Sequence, residues 1–453
     1  MAQIESQGIA GTVVHAGDDN WDEARSAWNL TADQHPAAVV FPESPDDVAA
    51  AVAAARDAGL GVAAQGTGHG AASRESLEGT VLLRMERFTG VNVDPDARTG
   101  RFEAGAIWRD AANAAGEHGL ATLSGSSPDV GVAGYTTGGG FGWLARRYGL
   151  ACNSVRSMDV VTADGQHRTV DANNDADLFW ALRGGGGNYG VVTAIEFDLI
   201  ELPEVFAGSV IYPADDGAGD MFQAWREWTQ TVPDEVTSIA RFLRLPPLPM
   251  VPEPLRDRPL LTLGACYAGP ESEGADVVAP LRGLGEPVMD LFQAMPPAGL
   301  VQIHMEPEEP VPGLLYTTSL REGPAEAIDA FVETAGPGSE SPLLLAELRH
   351  AGGASGSAPD GAGARSHIEG EFVFLGVGMV MGPGMAEAVN GQIDSICSAL
   401  EPWSTGGCYL NFADRPTELD RLYDSDTLSR LRQVKERYDA EGVFSGGHAL
   451  TVA

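Results

Sequence analysis

Residues 37–41 form an unbroken apolar run, and 46–59 follow as an alanine- and valine-rich stretch with its charges near the two ends. The first predicts a buried strand and the second a helix. Ser44 supplies an N-cap, Pro45 a first-turn proline and Gly59 a stop. A short strand over 61–64 completes a strand–helix–strand unit, which runs directly into the turn Gln65-Gly66-Thr67-Gly68-His69-Gly70. Two more glycine-rich segments, 131–142 and 183–190, precede apolar strands that begin at Met158 and Val191. The first of these strands closes in the tight turn Asp164-Gly165.

After Leu202-Pro203 the texture changes. Trp225 and Trp228 lie on a predicted helix, and proline-rich turns occupy 246–254. Amphipathic strands such as 260–267 and 371–377 then alternate with helices. Residues 352–363, rich in Gly, Ala and Ser, read as a mobile loop. A charged amphipathic helix is predicted over 422–443, and the tail 444–453 returns to glycine and apolar residues. No internal repeat is evident. The pattern divides the chain at Leu202-Pro203, and the region that follows reads as a separate sheet-and-helix domain.

The length of 453 residues accommodates two or three cores. No run of eighteen apolar residues occurs, which excludes a membrane-spanning helix. Residues 1–10 carry neither a basic residue nor an apolar stretch, so the expected location is cytoplasmic. With 28 basic against 64 acidic side chains the net charge is −36, a surface that repels nucleic acid and anionic membranes alike. Adaptation to high salt and drift in a GC-rich genome both favour such a composition; the excess of carboxylates points to salt. Lys435 is the only lysine. Cys152, Cys266, Cys397 and Cys408 are scattered without a CxxC pair, the pattern of buried thiols. His304, His367 and His448 lack metal-ligand spacing, so structural roles and no metal site are expected.

Three glycine clusters within 200 residues suit close approach of backbone amides to a diphosphate. They satisfy neither the G-x-G-x-x-G dinucleotide pattern with its downstream acid nor a Walker phosphate loop. In order, the chain shows GTGH, then GSSPDVGVAGYTTGGGFG, then MDVVTADG, then DLFWALRGGGGNYGVVT, and near its end YLNF and LRQVKERYD. Together these resemble the FAD-linked oxidases of the berberine bridge enzyme type, within the vanillyl-alcohol oxidase superfamily. The resemblance covers roughly residues 20–202 and 405–453 and includes a motif recurrent in bacterial members, LAELRHAGG at 345–353. It implies an α+β fold: a bipartite FAD-binding domain built from 1–202 and 405–453, and a substrate domain, 203–404, with an antiparallel sheet covered by helices.

The resemblance also implies site residues. His69 occupies the position of the histidine that bonds covalently to the flavin 8α carbon. Ser127 stands where many members have a second linking cysteine, so a single link is expected. Implied cofactor contacts are Gln65, Gly66, Thr67, Gly68 and Gly70 around His69, then Ser127, Val130, Gly131, Gly134, Tyr135, Gly138, Gly139 and Gly142. Gly190, Val191, Val192 and Asn411 complete the set. Val130 matches an oxygen-gating position at which valine resembles oxidases. Tyr135 replaces a common histidine, Phe141 and Phe412 replace common tyrosines, and Gln65 replaces an arginine.

Tyr409 is the leading candidate base, with Asn411 positioning substrate or flavin and Tyr135 stabilising charge on the reduced flavin. Glu347 could serve as a base if desolvation raised its pKa; the competing reading is a surface ion pair with Arg349. The expected reaction is removal of hydride from an alcohol or sugar hydroxyl carbon, with oxygen as acceptor and hydrogen peroxide as product. Alternatives are a tailoring oxidase or dehydrogenase of secondary metabolites acting at C–O or C–N, or a non-catalytic flavin-binding protein. Expected partners are a small-molecule substrate and oxygen, in a monomer or homodimer.

Overall fold

The helix Pro45–Asp57 starts where the Ser44 side chain accepts from the Asp47 amide, and it buries Val48, Ala51, Val52 and Ala55. Asp47 in turn accepts from the amides of Ala10, Gly11 and Glu43, tying the helix start to the neighbouring chain. The computed structural model describes residue 4 and residues 8–451 apart from 75, 216, 250 and 257. Most of the N-terminal stretch read for a leader therefore lies outside the described residues.

The flanking strands Ala38–Phe41 and Gly61–Gln65 are both parallel to Thr80–Arg84, which lies between them. Thr12–His15 adds an antiparallel edge to make four strands. The strand–helix–strand unit is thus present, but its two strands are not neighbours. A second, antiparallel sheet orders five strands as Val91–Asp94, Thr99–Glu103, Val191–Asp198, Val155–Val161 and His167–Asp171.

From Val205 to Met379 the chain builds an eight-stranded antiparallel sheet. Its centre runs Val205–Pro213, Pro259–Tyr267, Val236–Arg244, Leu345–His350, Phe372–Met379, Gly313–Leu320. One face is closed by the helices Ala218–Thr229, Ala325–Ala335 and Met385–Leu400. There Phe222, Trp225, Phe242, Phe331, Phe372 and Phe374 pack ring against ring. Because side chains alternate across a strand, burying Ala240 and Phe242 toward these helices turns Ile239 and Arg241 to the other face.

The closing helix is shorter than its amphipathic pattern. It spans Ser425–Tyr438, with Asp424 capping it by accepting from the Asp426 and Thr427 amides. At its far end Lys435 donates to Asp439, to the Asn188 carbonyl and to the Phe444 carbonyl, at 2.5, 2.8 and 2.7 Å. Asp439 accepts from the Val443 and Phe444 amides. The only lysine thus pins the C-terminal tail to the third glycine cluster.

The segment 352–363, read as a mobile loop, is held at several points. Arg146 donates to the Ala351 carbonyl, Asn153 accepts from the Gly363 amide, and Ser355 is fully buried. All four cysteines are unpaired thiols, three of them buried and Cys397 half-buried. Among the described residues no helix is long and apolar enough to cross a membrane.

Candidate active site

The strand Gly61–Gln65 ends in a turn held by Trp28 and Asn29, whose amides donate to the Thr67 and Gly68 carbonyls. Gly68, at φ +92°, has Ala27 against the place a Cβ would take, so another residue there would be both strained and crowded. The turn presents the His69 ring flat against Trp28, 3.9 Å between centroids. Its Nδ1 lies 2.8 Å from the Thr67 hydroxyl. Its Nε2 is 3.4 Å from an Asp129 oxygen, too long and ill-aligned to count as a hydrogen bond.

Asp129 accepts from the Ser127 hydroxyl at 3.2 Å. Backbone bonds from Trp108 and Arg109 to the Val130 and Pro128 carbonyls fix this segment, and Gly131 lies against Thr67. Tyr135 follows on the helix Val132–Thr137, edge-on to Trp108, with its hydroxyl buried and unpartnered. Burial pushes that phenol far above its ordinary range.

The C-terminal turn Leu410–Phe412 closes over the glycine run. Asn411 donates to the Tyr135 carbonyl and accepts from the Gly140 amide, at 3.0 and 3.1 Å. A Cβ on Gly138 would collide with Asn411, and one on Gly139 would lie 2.7 Å from the Tyr409 hydroxyl. The space beside these two glycines is therefore taken by the protein's own side chains. Tyr409 is 2% exposed, edge-on to Phe141 at 6.0 Å, and its hydroxyl has no partner. Burial, then Tyr135 and Cys152, push its phenol well above the usual value; Arg365 and Arg349 oppose them.

Glu347, on Leu345–His350, corrects the expectation of a surface pair: it is 1% exposed and accepts from Arg349 at 3.0 and 2.8 Å. Burial works to raise its carboxyl, but Arg349, His304 and Arg241 outweigh burial and hold it below the ordinary range. The condition for Glu347 as a base, a raised pKa, is not met. The other implied contacts, Gly190, Val191 and Val192, stand where Val191–Asp198 pairs with Val155–Val161. A Cβ on Gly190 would strike Val160 and the Val161 carbonyl.

Sequence reasoning passed over Asp129 and Trp28 beside His69, and Arg241 and Glu306 beside Glu347. Arg241 carried a signal: it is the one ionisable residue within the otherwise uncharged stretch 236–243. His304, read as structural, is buried and places Nδ1 3.1 Å from Glu306. Among the described residues no group of three or more His, Cys, Asp or Glu could hold a metal ion.

Buried polar atoms are rarely left without partners. Here Gln65 Nε2, His69 Nε2, Asp129 Oδ2, Tyr135 Oη, Thr136 Oγ1 and Tyr409 Oη all are, and all belong to the glycine clusters and the closing turn. Nothing lies within 4 Å of where a Cβ on Gly70 or Gly134 would sit. These residues fit a large polar cofactor threaded between the clusters.

The fold is of the vanillyl-alcohol oxidase type, and the sequence relatives mark the chain as an FAD-dependent oxidoreductase. Residues 36–171 match the FAD binding domain family. Along 97% of both chains the protein is 26% identical to an uncharacterised FAD-linked oxidoreductase, YgaK, of Bacillus subtilis. Over 190 residues, 41% of this chain and 38% of the relative, it is 38% identical to glucooligosaccharide oxidase of Sarocladium strictum. Among solved structures, the Physcomitrella patens BBE-like 1 protein superposes with a TM-score of 0.85 at 21% identity, covering 99% and 98% of the two chains. The 6-hydroxy-D-nicotine oxidase of Arthrobacter nicotinovorans gives 0.82 at 24%, covering 98% of each.

Proposed function

We propose that the protein is an oxidase that holds FAD through one covalent bond at His69 and converts an alcohol or sugar hydroxyl to a carbonyl. The observation that carries this reading is that the His69 turn meets one end of the glycine-rich segment 131–142, through Thr67 against Gly131, while Tyr409 and Asn411 meet its other end at Gly138–Gly140. Trp28 and Thr67 orient the imidazole for attachment. With Ser127 where a second link would form, one bond is available rather than two.

When bound, the flavin supplies the redox chemistry, taking two electrons as hydride from the substrate carbon and passing them to oxygen. The chain supplies orientation and proton handling. Tyr409 takes the hydroxyl proton as the carbon–hydrogen bond breaks, leaving a carbonyl product. A phenol of raised pKa is a poor base until it is lowered; Arg365 and Arg349 oppose the rise at Tyr409 without cancelling it, so the bound substrate has to lower it further. Asn411 fixes the Tyr135 turn against the glycine run, so both phenols hold their positions. Oxygen leaves as hydrogen peroxide after accepting the two electrons and two protons. Val130 supports oxygen as the acceptor, and the curated relatives named as oxidases agree in kind.

Acid precipitation of the purified protein is the direct test. A yellow pellet, colourless in His69→Ala, is expected; a colourless wild-type pellet from a flavin-loaded sample sinks the covalent link. Peroxide release on turnover separates an oxidase from a dehydrogenase.

A further inference from the structure

The Arg241 side chain makes no hydrogen bond to any other described residue, although it is only 7% exposed and its Nε is fully buried without a partner. Its nearest carboxylate, Glu347 directly across the strand pair, stands 3.9 Å away and is already engaged by Arg349 at 2.8 Å. A guanidinium has five donors in a rigid fork, so a buried one without acceptors is unusually costly for a fold.

The unmet groups around it share one place. On the neighbouring strand Thr262 is in register with Arg241 and so shares its face, and the Thr262 hydroxyl is also buried and unpartnered. Two residues along, the Trp143 ring lies over Gly264 and Ile239, and its indole N–H has no acceptor. His304 meets Trp143 edge to face at 5.3 Å, and its Nε2 is free while Nδ1 pairs with Glu306. Guanidinium, indole and hydroxyl donors converge on the sheet face turned away from the covering helices. Glu306, whose side chain is 36% exposed, opens this place to solvent. Ser127, which faces Glu306 and donates to Asp129, joins it to the surroundings of His69, 3.4 Å from Asp129.

Glu347 and Glu306 face this cluster, but neither gives the Arg241 guanidinium an acceptor within hydrogen-bond distance, since Glu347 bonds Arg349 instead. What it lacks is an acceptor with two oxygens for the fork. We infer that Arg241, with Thr262 and Trp143, forms a subsite for a substrate carboxylate, and that the alcohol oxidised is an acid: a uronate or another hydroxy acid. This rests on the oxidase reading for the fate of the hydroxyl, but not for the binding of the acid. Arg–carboxylate recognition is bidentate and directional, which a lysine ammonium reproduces only as a point charge.

The test uses the flavin-loaded protein and a matched pair that cannot be oxidised, benzoate and benzamide, followed by flavin absorbance and tryptophan fluorescence. Benzoate is expected to bind more tightly, and its preference over benzamide to fall roughly 10- to 100-fold in Arg241→Met, as expected for losing a hydrogen bond to a charged group. Arg241→Lys should keep part of the preference. If Arg241→Met loses its flavin or melts early, Thr262→Val provides the second measurement, with a several-fold smaller preference expected. Equal binding of the pair to the wild type, or an unchanged preference in a folded variant, overturns the subsite. Anaerobic flavin bleaching by D-glucuronate against D-glucose then separates the two claims. Bleaching by neutral alcohols alone leaves an oxidase without the acid subsite. Tight benzoate binding with no bleaching by any alcohol leaves the subsite without the oxidase.

Discussion

Two buried phenols and one buried acid carry the pH behaviour at the residue scale. If Tyr409 takes the substrate proton, Tyr409→Phe should lower kcat by roughly 10²- to 10⁴-fold, the usual reach of a general base. The fall in kcat/KM toward acid pH should vanish with it, which a pH profile of both enzymes reads directly. Asp414 is a separate case. It is 4% exposed, accepts from Asn29 at 3.3 Å, and burial pushes its carboxyl up to about 8. The folded chain therefore keeps a proton there that the unfolded chain, with an ordinary carboxyl of 3.8, has already released. Stability from this group is lost as pH rises from about 4 through 8. Asp414→Asn, which keeps the shape and removes the titration, should be the more stable protein above neutrality, by on the order of a few kcal/mol at most. Urea midpoints measured at acid and alkaline pH would show the difference only on the alkaline side.

At the scale of elements, the stop signals were more legible than the contacts. Ser44, Pro45 and Gly59 marked one helix to within two residues, because caps act locally. The pattern over 422–443 overran the helix Ser425–Tyr438, since Asp424 is taken up by capping and Asp439 by Lys435. The insertion of Thr80–Arg84 between the two strands around the first helix is a long-range fact, and nothing in 37–64 encodes it. The same holds for 352–363, whose composition speaks of freedom while Arg146 and Asn153, two hundred residues upstream, hold it. Glu347 and Arg349 were readable as partners from their spacing of two on a strand; their burial depends on what covers that face. His69, Tyr409 and Asn411 were named from motif order, whereas Asp129 and Arg241 became visible only once distant strands met. The closing helix yields its own prediction. Lys435→Met strands Asp439 in the interior and should destabilise by about 3–5 kcal/mol, read as a lower urea midpoint with the C-terminal tail released first to proteolysis.

For the whole molecule the strongest single influence is a charge of −36. Self-repulsion on this scale opposes the compact state, and screening relieves it. The melting temperature should therefore climb as salt is raised toward ~1 M, where the screening length shrinks to about 3 Å. A flat response would show that local ion pairs such as Arg101–Asp159 and Arg109–Glu308 already offset the excess. The same composition leaves a single side-chain amine on the chain, and the fold surrounds it with Asn188, Asp439 and Phe444. Coupling to resins, dyes or aldehyde fixatives through lysine has nothing to grip on the folded protein. A side-chain amine label that does appear marks molecules whose last helix has come undone, so one reactive dye serves as a counter of unlatched copies.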